Sequence, residues 1–188
     1  MAKQYPEISE RFAQFIAAQK IFFVGTATAD SRVNLSPKGM DSLRLLSSTR
    51  VAWLSVTGSG NESAAHLLQN PRMTLMFCAF EGKPLILRLY GNARAVHRHD
   101  AEWTSLAAGF PPLPGARQIF ILDVDLVQAS CGMSVPFFDY VGEREQLNDW
   151  AAGIGDEGIR RYWAEKNQTS IDGLPTRIFE PRLEAEEG

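Results

Sequence analysis

The residues best placed to do chemistry are seven in a row, Thr57-Gly58-Ser59-Gly60-Asn61-Glu62-Ser63. They join an apolar run at 51–56 to a short helical segment that ends at Asn70-Pro71. A turn rich in glycine and hydroxyl side chains that opens a helix gathers free backbone N–H groups, and such groups bind phosphate. The hydroxyls of Thr57, Ser59 and Ser63 add donors to the amides around Gly58 and Asn61. Ser59 and Glu62 also match the S-x-x-E spacing of a capping box, in which the serine oxygen is taken up by helix amides. The anion-binding and the purely structural readings therefore compete at the same atoms. Two cations on flanking strands, Lys38 and Arg88, supply charge-assisted partners for a phosphate, and arginine can grip two oxygens at once.

Other reactive side chains read more simply. His97 and His99 stand one residue apart at a strand end, half of a metal site with no second pair of ligands evident, so no metal is expected. His66, mid-helix, is expected to face solvent or a partner subunit. Cys131 sits between Ser130 and Gly132 in a loop, either as a small loop residue or as a reactive thiol, and Cys78 reads as core filling. Trp53 and Phe77 read as packing, and Asp123 and Asp125 as solvated positions on an outer face. No nucleophile–base pair or carboxylate pair announces itself, and catalytic residues stay unassigned.

The elements that must position the turn are mostly strands. Residues 6–20 carry Ile8, Phe12, Phe15 and Ile16 at helical spacing. Strands are expected at 21–29 and 32–36, joined by a tight Asp30-Ser31 hairpin, and at 43–46, 50–57 and 72–80. Alternation is cleanest at 85–96, with Leu85, Leu87, Leu89, Gly91, Ala93 and Ala95 on one face and Arg88, Tyr90, Asn92 and Arg94 on the other. Glu81-Gly82-Lys83 turns the chain between these last two strands. A short helix at 100–108 and a proline-rich loop at 109–115 lead to a strand at 118–128, with Phe120, Leu122, Val124 and Leu126 facing the core. Two helical segments follow at 147–152 and 159–163, and an acidic, loose tail at 184–188. Antiparallel strands with few short helices point to a barrel rather than a parallel sheet. No G-x-G-x-x-G marks a dinucleotide fold.

Composition narrows the function classes. The chain has 188 residues, 45% hydrophobic and 22% charged, which suits a globular domain with a real core. Its 19 basic and 22 acidic residues give a net charge of −3, against broad binding to nucleic acid or an anionic membrane. Two cysteines are too few for a secreted disulfide framework, and no signal peptide or membrane-spanning run is evident. A reduced, cytoplasmic protein is expected.

Three blocks, in order, resemble the FMN-binding split barrels related to pyridoxamine 5′-phosphate oxidase. The first is Phe23-Val24-Gly25-Thr26 followed by Val33-Asn34-Leu35-Ser36-Pro37-Lys38-Gly39. The second runs from Thr57 to Pro71, on which the family pattern T-N-Y-x-S-R-K-G-x-x-L-x-x-N-P can be laid without a gap, ending in Leu67, Asn70 and Pro71. The third is 85–91, matching the family's Q-V-R-I-x-G strand at Arg88, Leu89 and Gly91. The likeness covers about residues 8–128. Glu62-Ser63 stands where the pattern has Arg-Lys, which removes two cations and adds an anion. Ile86 replaces the glutamine of Q-V-R, and nothing after Gln128 matches the oxidase's C-terminal segment.

The resemblance implies a mainly β fold, an antiparallel six-stranded split β-barrel over 1–130 with its N-terminal helix; a helical C-terminal extension over 131–188, outside the resemblance, is expected to pack on it. The resemblance also implies a homodimer with FMN at the subunit interface, acting in redox chemistry on a small-molecule substrate that the sequence does not identify. Asn34, Leu35, Ser36 and Pro37 would border the flavin ring, while Lys38, Thr57, Gly58, Ser59, Asn61, Ser63 and Arg88 would hold the phosphate and ribityl. Arg88, Tyr90 and Arg94 would serve equally as a dimer face. A divergent branch fits better than the oxidase itself. A deazaflavin would use the same cradle, and a non-catalytic flavin or haem carrier or sensor, or a dimeric module without cofactor, are the alternatives.

Overall fold

The computed structural model describes residues 2–180; the acidic tail at 184–188 lies outside them. In chain order the elements are β1 (Lys3–Tyr5), α1 (Glu10–Ala18), β2 (Phe22–Thr26), β3 (Asn34–Lys38), β4 (Leu43–Ser47), β5 (Arg50–Val56), α2 (Glu62–Leu67), β6 (Arg72–Cys78), β7 (Ile86–His97), α3 (Trp103–Ala107), β8 (Ala116–Ser130) and α4 (Gln146–Lys166). All strands join one antiparallel sheet in the order β3-β2-β6-β7-β8-β5-β4, with β1 paired to the far half of β8. Among the described residues eight strands thus stand where six were expected, and the mainly β, split-barrel class holds.

The sheet curls, and the aromatic core shows by how much. Strands β2 and β5 lie four places apart, about 19 Å if the sheet were flat. Yet the Phe22 and Trp53 rings, one on each, sit 6.3 Å apart. Phe22 stacks on Phe77 and Trp53 on Phe120, so one apolar interior is shared by the whole sheet. Ile8, Phe12 and Ile16 pack into it. On the opposite face of the sheet Ala52, Leu54, Val96, Ile119 and Ile121 pack against α3 and Phe110.

Local expectations fail where side chains intervene. The Asp30-Ser31 hairpin is instead a seven-residue loop after Thr26, because Thr28 and Ser31 each accept the other's amide through their hydroxyls. Helix α1 begins at Glu10, not near residue 6, since the Ser9 hydroxyl accepts the Phe12 amide and caps it. Along β8 the core face is Phe120, Leu122, Val124 and then Val127, not Leu126. Gly91 pairs with Val124 and Tyr90 with Leu126, leaving Asp125 as an extra residue. Such a bulge inverts the parity of every position after it. The two trailing helical segments are present as α4, broken at Gly155, whose φ of 64° interrupts the helix.

His97 gives the fold a measurable acid limit. It is buried beside Gln118 and stacked on His99 at 5.3 Å, and burial lowers its pKa from 6.5 to about 4, against the raising pull of Asp100. The folded state therefore takes its proton later than the unfolded chain. Its contribution is fully present above pH 6.5 and is lost as pH falls through 4. Urea unfolding is expected to show a loss of about 3 kcal/mol over that window, and His97→Gln to flatten it.

Candidate functional site

The turn at 57–61 is held from behind by residues that are far away in sequence. Thr57 is buried; its hydroxyl donates to the Gly115 carbonyl at 2.7 Å and accepts the Trp163 indole N–H at 2.8 Å. That hydroxyl is spent on structure. Arg117, on β8 and only 5% exposed, donates through Nη1 to the carbonyls of Gly60 at 3.0 Å and Gly58 at 3.4 Å. The same nitrogen reaches Asn167 Oδ1 at 2.8 Å, and Nη2 reaches Ser55 Oγ at 3.4 Å. Asn167, just past α4, donates through Nδ2 to the carbonyls of Gly58 at 3.0 Å and Ser59 at 3.5 Å. Its own carbonyl accepts from Asn61 Nδ2 and Thr176 Oγ1.

Three successive carbonyls are therefore drawn toward one side of the turn. Because a trans peptide sets N–H opposite C=O, the amides of Ser59, Gly60 and Asn61 face the other side. Successive amides arranged this way form an anion-binding concavity. One group works against it. A Cβ on Gly60 would collide with Glu62 Oε2, so this carboxylate is folded over the turn, where its Oε1 accepts the Ile171 amide at 3.1 Å.

The expected capping box is absent. Asn61, not Ser59, is the residue before α2, and no side chain caps it; Glu62 lies in the first turn and bonds the C-terminal segment instead. His66 is also corrected: it is fully buried, not solvent-facing. Helix α2 is pressed against β2, and His66 Nδ1 lies 3.1 Å from Thr26 Oγ1. Thr26 in turn is 3.4 Å from Ser63 Oγ, which accepts from Asn34 Nδ2 at 3.1 Å. Ser63 and Asn34, two expected ligand residues, are thus joined to each other.

Strand β3 presents two faces. Asn34, Ser36 and Lys38 pair with Thr26, Val24 and Phe22, whose side chains point inward, whereas Leu35 and Pro37 are exposed on the other face. Lys38 Nζ lies 5.2 Å above the Trp53 ring. Burial, and secondarily the charge of Arg117, lower the Lys38 pKa to about 8, with Glu62 pulling it back up. Lys38 is therefore near the turn. Arg88 is not its neighbour. The strands bearing them are separated by β2 and β6, and Arg88 is in register with Met76, Phe23 and Pro37, on the opposite face from Lys38. Its guanidinium reaches Ser130 Oγ at 3.3 Å. Within one chain the structure does not bring Lys38 and Arg88 together.

Two open cavities flank this row. One, of about 650 Å³, is bordered by Asn34, Leu35, Ser59, Gly60, Glu62 and Ile171. The other, of about 700 Å³, is bordered by Pro37 and Lys38 and covered by a strap through Phe138, Tyr140 and Glu143. The strap is fastened by the Phe138 amide donating to the Phe80 carbonyl at 3.1 Å and the Met40 amide donating to Glu143 at 3.3 Å. Cys131, where the strap begins, is exposed, and Cys78 is buried.

Sequence reading missed Arg117 and Asn167. The signal for the first was the polar pair Arg117-Gln118 heading an apolar strand, both of them buried. Nothing local pointed to Asn167.

The pyridoxamine 5′-phosphate oxidase family model matches residues 8–131. The chain belongs to the pyridoxamine 5′-phosphate oxidase family. Among the family's proteins, ustO of Aspergillus flavus is 34% identical over 189 residues, covering 91% of this chain and 76% of its own. Solved structures agree in fold. A single-residue variant of HupZ from Group A Streptococcus has a TM-score of 0.54 at 18% identity, covering 65% of this chain and 99% of its own. A Lactobacillus delbrueckii protein of pyridoxamine 5′-phosphate oxidase type has a TM-score of 0.52 at 18% identity, covering 65% and 94%. The family match ends where the strap begins, so α4 and Asn167 lie outside it. No helix among the described residues is long and apolar enough to cross a membrane.

Proposed function

We propose that this family member binds FMN and uses it for redox chemistry on a small molecule, as a cytoplasmic homodimer with the flavin at the subunit interface. The observation that carries the reading is that Arg117 and Asn167 hold the Gly58, Ser59 and Gly60 carbonyls from one side, which turns the amides of Ser59, Gly60 and Asn61 outward in the region of the desolvated Lys38 ammonium. The donor set fits an acceptor-rich anion. Among the described residues the partly buried Lys38 ammonium has no carboxylate within ion-pair distance, and a desolvated charge without a partner is uncommon enough to need a reason.

On this reading Ser59, Asn61 and Lys38 hold the phosphate, Asn34 and Ser36 line the ribityl and ring, and Gly58 and Thr57 shape the turn. Ser63 acts by fixing Asn34. Leu35, Pro37 and Arg88 stand on the outward face of the sheet, where they would serve the second subunit's site. Bound FMN would supply two-electron chemistry, which requires no nucleophile or acid–base pair from the chain.

Titration of the purified protein with FMN tests this directly: binding is expected to perturb the flavin absorbance near roughly 450 nm. An unperturbed flavin at saturating protein would end the proposal. A phosphate-bearing deazaflavin fits the same donors, and the spectrum of the loaded protein separates the two. Glu62→Gln, which removes the one anion folded over the turn, is expected to tighten FMN about tenfold in the same titration.

A further inference from the structure

We infer that Asn167 is a positioning residue for the phosphate cradle, acting with Arg117 to aim the turn's amides outward. The inference rests on the phosphate reading above and adds the C-terminal extension to the site. Asn167 is fully buried, and both ends of its side chain are engaged. Oδ1 accepts from Arg117 at 2.8 Å while Nδ2 donates to the Gly58 and Ser59 carbonyls. Its main chain is fixed as well, with the amide donating to the Trp163 carbonyl at 2.9 Å and the carbonyl accepting from Asn61 and Thr176. Arg117 reaches the Gly60 carbonyl and shares that of Gly58 with Asn167. Among the described residues only Asn167 reaches that of Ser59, whose peptide carries the Gly60 amide. Without both, the glycine-flanked peptide planes at 58–60 are free to rotate, and a flipped plane offers a carbonyl to the anion where an amide is needed.

The pair also answers the charge problem set by Glu62-Ser63. Arg117 returns one positive charge from beneath the turn, and the acceptor oxygen of Asn167 orients it without neutralising it. An aspartate in that place would do both harms. It would pair with Arg117 and present an oxygen where the Gly58 and Ser59 carbonyls require a donor.

The test compares FMN with riboflavin, which shares the ring and ribityl but lacks phosphate. In full-length protein, Asn167→Asp is expected to weaken FMN at least tenfold and riboflavin by less than twofold. Arg117→Lys, which keeps the charge and loses the planar fork, is expected to do the same and replaces the first variant if that one does not fold. Equal weakening of both flavins, or of neither, overturns the inference, because a merely structural residue would not discriminate by the phosphate. An independent readout uses inorganic phosphate and the amide resonances of Ser59, Gly60 and Asn61. If wild-type protein binds neither flavin, the FMN reading fails. The inference then stands if phosphate shifts those resonances in wild type but not in the variant, and falls if it shifts neither or both alike.

Discussion

Lys38→Met is expected to weaken FMN binding by about thirtyfold, the value of one partly desolvated charge-assisted hydrogen bond of about 2 kcal/mol. Methionine keeps the length and the contact with Trp53 while removing the charge. The pH dependence is the sharper readout. With its pKa lowered to about 8 by burial first and Arg117 second, Lys38 is mostly charged at pH 7 and mostly neutral at pH 9. A bound phosphate favours the charged form, so FMN affinity is expected to be flat between about pH 7, where the phosphate monoester is doubly charged, and pH 8. Above it, affinity falls by up to tenfold per pH unit until the bound-state pKa is reached. The methionine variant should bind weakly and show no such fall. A wild-type profile flat to pH 10, measured by flavin fluorescence at constant ionic strength, would remove Lys38 from the phosphate site.

The same shift acts on folding with the sign worked from the free protein. The folded state holds this proton less tightly than the unfolded chain, whose lysine titrates near 10.5. Burying the ammonium therefore costs stability throughout neutral pH, and the cost is relieved as pH rises from about 8 to 10.5. A group kept at such a cost inside a cavity wall, with no carboxylate partner among the described residues, belongs with sites more often than with scaffolds.

How much of this was legible beforehand depends on the range of the interactions. Strands β5, β6 and β7 declared themselves because alternation or unbroken apolar runs are local properties. The parity slip at Asp125 was invisible, since a bulge is fixed by the partner strand and not by the residues around it. His66 was misplaced for a related reason: a six-residue helix leaves no face for solvent when Thr26 lies beneath it. The turn itself was found from its glycines and hydroxyls, but the assignment of those hydroxyls was not. Thr57 is spent on Gly115 and Trp163, more than fifty residues away. What orients the amides, Arg117 and Asn167, comes from the last strand and the end of the last helix. Chemistry-bearing residues can be read in a list; the direction in which a peptide group faces is set by distant partners.

Gly91 carries the largest expected effect on stability. A Cβ there would collide with the Asp123 carbonyl oxygen and lie 2.8 Å from its carbon and 3.0 Å from Val124 Cα. All three are backbone atoms of the neighbouring strand, so no side chain can turn aside to make room. The position is opposite the bulge, where Tyr90 pairs with Leu126 and Gly91 with Val124, and the extra residue pushes β8 toward β7. Gly91→Ala must therefore part the two longest strands of the sheet or undo the bulge. Undoing it would turn Val127 out of the core and Leu126 into it. A loss of about 3 kcal/mol is expected, at the upper end for overpacking. Thermal unfolding of the variant against wild type measures it. Gly25→Ala on β2 is the control, because there the nearest atoms, on Thr74, lie 3.9 Å away and the change should be close to neutral. Equal unfolding temperatures for the two variants would mean that β7 and β8 are not held at the spacing described. The glycine that aligns with the third family block is then explained by packing: it lets β8 bulge, and the bulge fixes which of its residues line the interior.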